Sequence, residues 1–461
     1  MKRFWLVMLS LGLVLAFSAS AMAVDVKFSG SFYAAGMYLD KTTLQNTTAV
    51  SGSDNVSTAF YFQRLRVQTD FIVSPGLKLV TRIDAMERAW GAPRSSASTT
   101  AQVDSAGTAA ENENIVFDWA YINYASPIGT FDVGYMNYGA TGTIFGNSSV
   151  PQGRIKYSYT FGPAKINAAI SKVKDKSNTA KNAVTYTDAD NDVYHLEGVY
   201  TLTKDVLVGL NVNYYNYAEF SPGASTAGNY KKKYFLFTPY AIAKVGPVEI
   251  QAEVNYATGS FKKYGDSLGT DVSLSNLSAF VDATATFGPI YFGGTFAYIS
   301  GDDPGTTDKQ EGGTISGGLD WNPTLIMFNY YDRTNWAGNL AGYGTSNAGP
   351  MGTDATTYNS TTGIGFPGAW FGQGRIGVRP LPALDIMASL SYATADQKPS
   401  TILNSVFGWE VDVTGTYKIT NNLSYMMGVG YWFVGDYYKG SNNGNSLRNE
   451  YMLINKLTLT F

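Results

Sequence analysis

From Val24 onward one unit recurs: about ten residues alternating apolar and polar, a very short turn, another alternating run, then a longer polar stretch. After Gly246-Pro247, the residues Val248, Ile250, Ala252, Val254 and Tyr256 fall on one face, and Glu249, Gln251, Glu253 and Asn255 on the other. Successive strand side chains point to opposite sides, so each run has one greasy and one wet face. Before Gly288-Pro289 the plan repeats, with Ala279, Val281, Ala283, Ala285 and Phe287 alternating with Phe280, Asp282, Thr284 and Thr286. No segment after Ala23 is apolar over the roughly 20 residues that a membrane helix needs. A chain that crosses a bilayer without such helices must close its strands into a barrel, where every backbone group is paired.

Turns of this kind fall at Ser74-Pro75-Gly76, Ser126-Pro127-Ile128-Gly129, Gly162-Pro163-Ala164 and Thr203-Lys204-Asp205. Others fall at Gly246-Pro247, Gly288-Pro289, Asn322-Pro323, Pro380-Leu381-Pro382 and Thr420-Asn421-Asn422. Proline presets φ and glycine permits positive φ, which suits both to tight turns. Longer polar stretches occupy 40–57, 89–113, 175–189, 260–274 and 335–365. A soluble sandwich has no reason to gather its long loops at one end, whereas a transmembrane antiparallel up-and-down β-barrel has short periplasmic turns and long extracellular loops. The pattern predicts an all-β fold of about 20 strands, within a range of about 16–20, the lower counts applying if weak pairs such as 313–333 are loops. Phe161, Phe287 and Trp321 precede short turns, and Tyr214, Tyr256, Tyr298, Tyr392 and Tyr431 lie near the far strand ends, as two membrane girdles would require.

Residues 1–23 read as a cleaved signal peptide, which leaves 24–461 as the barrel. Lys2 and Arg3 precede an apolar run over 4–17, and Ala21-Met22-Ala23 supplies the small-x-small cleavage pattern. Losing Lys2 and Arg3 takes the net charge from −3 to −5, which gives no reason to expect nucleic acid as a partner. With no cysteine, the chain has no disulfide, thiolate zinc site or C-x-x-C-H haem attachment. We expect no cofactor and no metal. The strand pattern starts at Val24, so no plug domain of an energised uptake transporter is expected.

Two passages carry a family resemblance. The first is Trp119-Ala120-Tyr121-Ile122-Asn123-Tyr124-Ala125-Ser126-Pro127-Ile128-Gly129-Thr130-Phe131-Asp132-Val133-Gly134-Tyr135, and the second is the alternating strand from Tyr451 through Leu457 and Leu459 to Phe461. With the signal peptide and the hairpin rhythm, they resemble Gram-negative general porins. The resemblance implies a homotrimer in the outer membrane, among its lipids and lipopolysaccharide. It also implies a water-filled channel for passive diffusion of small hydrophilic solutes and ions. In that family the last strand is read by the barrel-assembly machinery; physically, it would seal the sheet against the first strand. The family's third extracellular loop folds into the pore and carries acidic residues opposite an arginine row. The corresponding stretch here, 138–153, contains no Asp, Glu, Lys or Arg, so its constriction is uncharged or is charged by another loop.

The arginine row has counterparts. Leu65, Val67, Thr69, Phe71 and Val73 form the lipid-facing set of one strand, so Arg64, Arg66, Gln68 and Asp70 face the lumen. Lys78, Arg82 and Asp84 share that side on the next strand, and Arg154 and Lys156 open the strand after the candidate constriction loop. Further lumen candidates are Glu249, Glu253, Asp282, Arg375, Arg379, Asp385, Glu410, Asp412 and Lys456, whose mixed signs argue against a strongly ion-selective tube. The Glu410/Asp412 spacing suits a cation, but lumen lining accounts for it as well. His195, the sole histidine, has Glu197 beside it and no nucleophile signature, so no enzyme is expected. Gly293-Gly294 and Gly317-Gly318 read as strand glycines. Two alternatives remain. One is a substrate-specific channel using lumen aromatics such as Tyr215, Phe280 and Trp432. The other is a structural barrel that sheaths or docks a partner such as an electron-transfer cytochrome.

Overall fold

In the computed structural model the described residues are 24–47, 49–50, 53–91, 115–175, 189–218, 229–265, 269–313, 319–343 and 367–461. The signal-peptide reading over 1–23 and the Gly317-Gly318 pair lie outside them. Eighteen antiparallel strands close into one barrel. They are β1 (Asp25–Leu39), β2 (Thr58–Ser74), β3 (Leu77–Ala89), β4 (Ile115–Ser126), β5 (Gly129–Gly139) and β6 (Ser148–Phe161). Next come β7 (Ala164–Lys174), β8 (Asn191–Thr203), β9 (Val206–Tyr217), β10 (Tyr230–Val245), β11 (Val248–Tyr264) and β12 (Val272–Phe287). The wall finishes with β13 (Ile290–Ile299), β14 (Ala369–Leu381), β15 (Leu384–Thr394), β16 (Val406–Lys418), β17 (Leu423–Val434) and β18 (Glu450–Thr460). Each strand pairs with its neighbours in sequence.

Closure comes from β1, which pairs with β2 from Asp25↔Ile72 to Leu39↔Thr58 and with β18 from Ser31↔Thr460 to Leu39↔Met452. At the seam the Gly30 amide donates to the Phe461 carbonyl at 2.8 Å, and the Phe461 amide returns a bond to Gly30 at 3.1 Å. A Cβ at Gly30 would lie 2.3 Å from the Arg66 carbonyl oxygen and 2.8 Å from the Phe461 ring, so the neighbouring strand and the ring of the closing segment together require a glycine there. Tyr451, Leu457 and Leu459 point outward, and Tyr451 packs on Tyr38 at 5.8 Å between ring centroids.

The outside of the wall is apolar. Ile155, Leu196, Phe292, Ile376, Val411 and Val413 all project outward there. The alternate positions, such as Asn167, Glu197, Asn213, Glu253 and Ser391, are enclosed within the barrel. Tyr194, Tyr214 and Phe235 form part of an outward aromatic row, with centroid spacings of 6.2 and 4.8 Å.

Eight of the nine expected short turns join neighbouring strands. Asn322-Pro323 does not, and its loss accounts for eighteen strands rather than twenty. Among the described residues between β13 and β14, only Lys309–Gln310 pairs with the wall, in parallel with Ser273–Leu274, and the stretch 319–343 runs inside the barrel. Trp321 is therefore no girdle residue: it is buried inside, edge-on to Phe371 at 5.3 Å. The run Ile326-Met327-Phe328 explains why, since three consecutive apolar side chains cannot alternate and all three are buried.

An arginine at Val411, facing lipid near mid-strand, is expected to cost about 2–4 kcal/mol. Ser158→Arg, on the wet face, is expected to stay within about 0.5 kcal/mol of the parent. Urea unfolding in lipid vesicles measures both; equal costs would contradict the assigned faces.

Candidate functional site: a lumen narrowed by two inward loops

Two wall glutamates hold two loops across the interior. The first loop, 140–147, connects β5 to β6. Glu253 on β11 accepts from the Thr143 amide at 2.6 Å and the Thr143 hydroxyl at 2.9 Å, while the Asn255 side chain donates to its other oxygen at 2.8 Å. Asn211 on β9 donates to the Thr141 hydroxyl at 3.1 Å. These anchors seat Phe145 flat on Phe280 of β12, with centroids 5.0 Å apart and planes 7° from parallel.

The second loop is held the same way from a part of the wall five strands further round. Glu410 on β16 accepts from the amides of Ile326 and Met327, each at 2.6 Å. Lys456 of β18 pairs with Asp332 at 2.5 Å, and Gln373 of β14 donates to the Pro323 carbonyl at 2.6 Å. Hydrogen bonds between a charged carboxylate and backbone amides are stronger than neutral ones, so these contacts fix backbone that has no ladder partner. A short π-helical turn, Tyr330–Thr334, is capped by the Asn329 side chain. It carries Arg333 into full burial, where desolvation pushes the guanidinium down to about 10 against the pull of Glu450, Tyr438 and Glu410. Trp336 stacks on Phe62 of β2 at 4.5 Å. The two loops meet: the Asp320 amide donates to the Asn147 carbonyl at 3.1 Å, and Trp321 lies edge-on to Phe145 at 5.1 Å. Charge on the inward loops therefore comes from the second, through Asp320 and Asp332, with Arg333 buried beneath them, while the first is uncharged.

The first loop lies against β9–β12 and the second against β14–β2. Space remains along β4–β8, in a cavity of about 290 Å³ lined by Trp119, Tyr121, Asp132, Arg154, Lys156, Lys165, His195 and Glu197. A second opening of about 470 Å³ shares Asp132, Lys156 and Lys165 and extends to the short turn Ser126–Gly129. The cavity wall is held by its own bonds. His195 Nδ1 lies 2.8 Å from the Asn213 side-chain oxygen, and Glu197 accepts from Asn167 at 2.7 Å and from the Tyr240 hydroxyl at 2.8 Å.

Arg64, Arg66, Lys78, Arg82, Asp84, Arg154 and Lys156 all lie on the interior face, and the acids beside them set their effect. Arg66 grips Asp84 with two nitrogens at 2.6 and 2.5 Å. Asp118 lies between Arg66 at 3.3 Å and Arg82 at 2.5 Å, and Arg82 sits over the Trp119 ring at 3.5 Å. Arg64 faces Glu87 at 3.6 Å, Lys78 pairs with Asp70 at 2.6 Å and Lys156 with Asp132 at 3.6 Å. Arg154 donates to the Asn137 carbonyl at 2.9 Å. The row is thus a ladder of ion pairs rather than a bare positive strip. Strict alternation misses Glu87 and Asp118 because bulges re-aim both. Met86, with φ 54°, shifts the register before Glu87, and the β3–β4 pairing slips between Arg82 and Ile83, skipping Asp118.

Other candidates are placed differently. Arg375 clamps Asp282 with two bonds of 2.7 Å, and Arg379 meets Asp385 at 2.8 Å. Glu249 pairs with Lys244 at 2.8 Å on exposed wall next to a short turn. Glu253, Glu410 and Asp412 face inward but are covered by the loops. Tyr215, Phe280 and Trp432 are covered too, which makes them braces rather than open stacking platforms. Among the described residues no group of three or more His, Asp or Glu converges in a way that could hold a metal.

No family model and no curated protein matches this sequence. Among solved structures the barrel is similar to Pseudomonas aeruginosa OccK9 (OpdG), with a TM-score of 0.51 at 13% identity over 94% of this chain and 99% of that one. P. aeruginosa OccK5 (OpdH) has a TM-score of 0.49 at 12% identity, covering 95% and 98%. The outer membrane channel DcaP of Acinetobacter baumannii has 0.44 at 11%, covering 96% and 99%. The likeness is one of fold: this chain has the barrel architecture of outer-membrane channels.

Removing either anchor is expected to free its loop. In Glu410→Ala the Ile326 and Met327 amides lose a charged acceptor that contributes roughly 1.5–3 kcal/mol per bond. Single-channel conductance should rise and become noisier, as it should for Glu253→Ala. Unchanged conductance in both variants would show that the loops do not narrow the path.

Proposed function

We propose that this chain is a channel of the Gram-negative outer membrane, through which small hydrophilic solutes and ions diffuse passively. One observation carries the reading: two adjoining polar cavities lie inside an apolar-walled barrel along the β4–β8 wall, one of them bordered by Ala140 and Thr141 of the first anchored loop. A ring of charged and amide side chains replaces part of a solute's hydration while still letting it leave. The reading includes export by a signal peptide over 1–23, insertion by the barrel-assembly machinery, assembly as a homotrimer and no enzymatic activity.

A substrate-selective channel is the second reading, and the narrowing favours it. Two loops and their aromatic bridge cross the interior, and the cavity of about 290 Å³ beside the first is of small-molecule size. Its mixture of Trp119, Tyr121, Arg154, Lys156 and Glu197 offers a ring face beside charges of both signs.

Purified protein in planar bilayers tests both readings. A diffusion channel gives ohmic steps insensitive to dilute solutes, whereas micromolar block by one solute supports selectivity. Absence of conductance overturns both readings and leaves a structural barrel. Converting Arg64, Arg66 and Arg82 together to Gln leaves Asp84, Glu87 and Asp118 without their cationic partners. The reversal potential in a salt gradient should then move toward cation preference, and an unmoved potential would remove the ladder from the conducting path.

A further inference from the structure

The outer face carries a one-sided basic patch just beyond its aromatic row. On β7–β11 that row runs from Ile170 through Tyr194, Tyr214 and Phe235 to Thr258 by strand register. Two residues further toward the long-loop end, about 7 Å along the strands, the same register aligns Lys172, Asp192, Asn216, Lys233 and Ser260. Lys172 is neutralised by Asp190 and Asp192, at 2.8 and 2.7 Å. One step further out, Lys231 and Lys263 are direct cross-strand partners on β10 and β11. Like charges in that relation repel, and a sheet keeps them at a cost unless an anion lies between them. Lys263 also pairs with Asp271. Among the described residues, Lys231, Lys233 and Lys263 thus set three ammonium groups against this one carboxylate, on the outer surface beyond the aromatic row. At the corresponding edge of the β13–β15 sector stands a carboxylate instead: Asp396 accepts from Trp370 at 2.9 Å and from the Tyr298 hydroxyl at 3.2 Å.

We propose that Lys231, Lys233 and Lys263 form a docking site for a membrane lipid bearing a phosphate monoester, in the leaflet at the long-loop end. This rests on the reading of the chain as an outer-membrane barrel. The phosphate sits between the cross-strand lysines, its acyl chains run down past Phe235 and Tyr214, and the pair repulsion becomes attraction. Such a lipid would bind one flank of the barrel and leave the Asp396 flank free.

Native mass spectrometry of the full chain in detergent tests the site. The probe is an acylated glucosamine disaccharide carrying phosphate monoesters, set against the same lipid after dephosphorylation. Wild type should hold the phosphorylated form at least about ten-fold more tightly, and Lys231→Gln/Lys233→Gln/Lys263→Gln should abolish that preference. Conductance of the triple variant should match wild type, because these side chains face away from the lumen. Equal affinity of wild type for the two lipids overturns the proposal. So does an undiminished preference in the triple variant, or full displacement of the lipid by millimolar inorganic phosphate. Lipid discrimination in a barrel that conducts nothing would keep the site and discard the channel reading.

Discussion

Backbone hydrogen bonding in a medium without water governs this structure. Each amide and carbonyl within the hydrocarbon layer needs a protein partner, and a sheet meets that demand only when its first and last strands join. The β1–β18 seam, with Gly30 and Phe461 bonded to each other in both directions, is where the demand is met. Once the cylinder is closed, side chains have two destinations. The alternation seen in Val248–Tyr256 then becomes a partition between lipid and lumen. A sealed cylinder of this size would by itself be a wide tube, so its contents decide what passes.

Those contents are two loops whose backbone has left the ladder and needs other acceptors. Glu253 and Glu410 supply them from two parts of the wall five strands apart, and in doing so give up contact with the lumen water. The loops meet through Phe145, Trp321 and the Asp320–Asn147 bond, so the constriction is a bridge braced at both ends. The cavities along β4–β8 lie beside ladders in which Arg64, Arg66 and Arg82 each have an acidic neighbour. This arrangement suits polar solutes of varied charge better than a single ionic sign.

The wall was legible because two local signals coincide in it. Period-two patterning marks each strand, and Pro, Gly or Asn marks each short turn, as at Gly246-Pro247 and Thr420-Asn421-Asn422. Asn322-Pro323 carries the same turn chemistry, but its flanking Ile326-Met327-Phe328 needs burial on all sides and so belongs inside. The ladder was only half legible. Arg64, Arg66 and Arg82 follow the alternation, whereas Glu87 and Asp118 face inward only because bulges break it. Nor does local pattern show that Glu253 and Glu410 would be covered, since the loops that cover them are distant in sequence.

The chain has no cysteine, so single cysteines can report the partition directly. Along β6, Lys156→Cys, Ser158→Cys, Ile155→Cys and Tyr159→Cys in conducting bilayers can be exposed to a charged, water-soluble thiol reagent. Modification with a stepwise fall in conductance at 156 and 158, and none at 155 and 159, is the expected result. Equal modification at all four positions, or a reversed order, would contradict a closed barrel with a wet interior and an oily exterior.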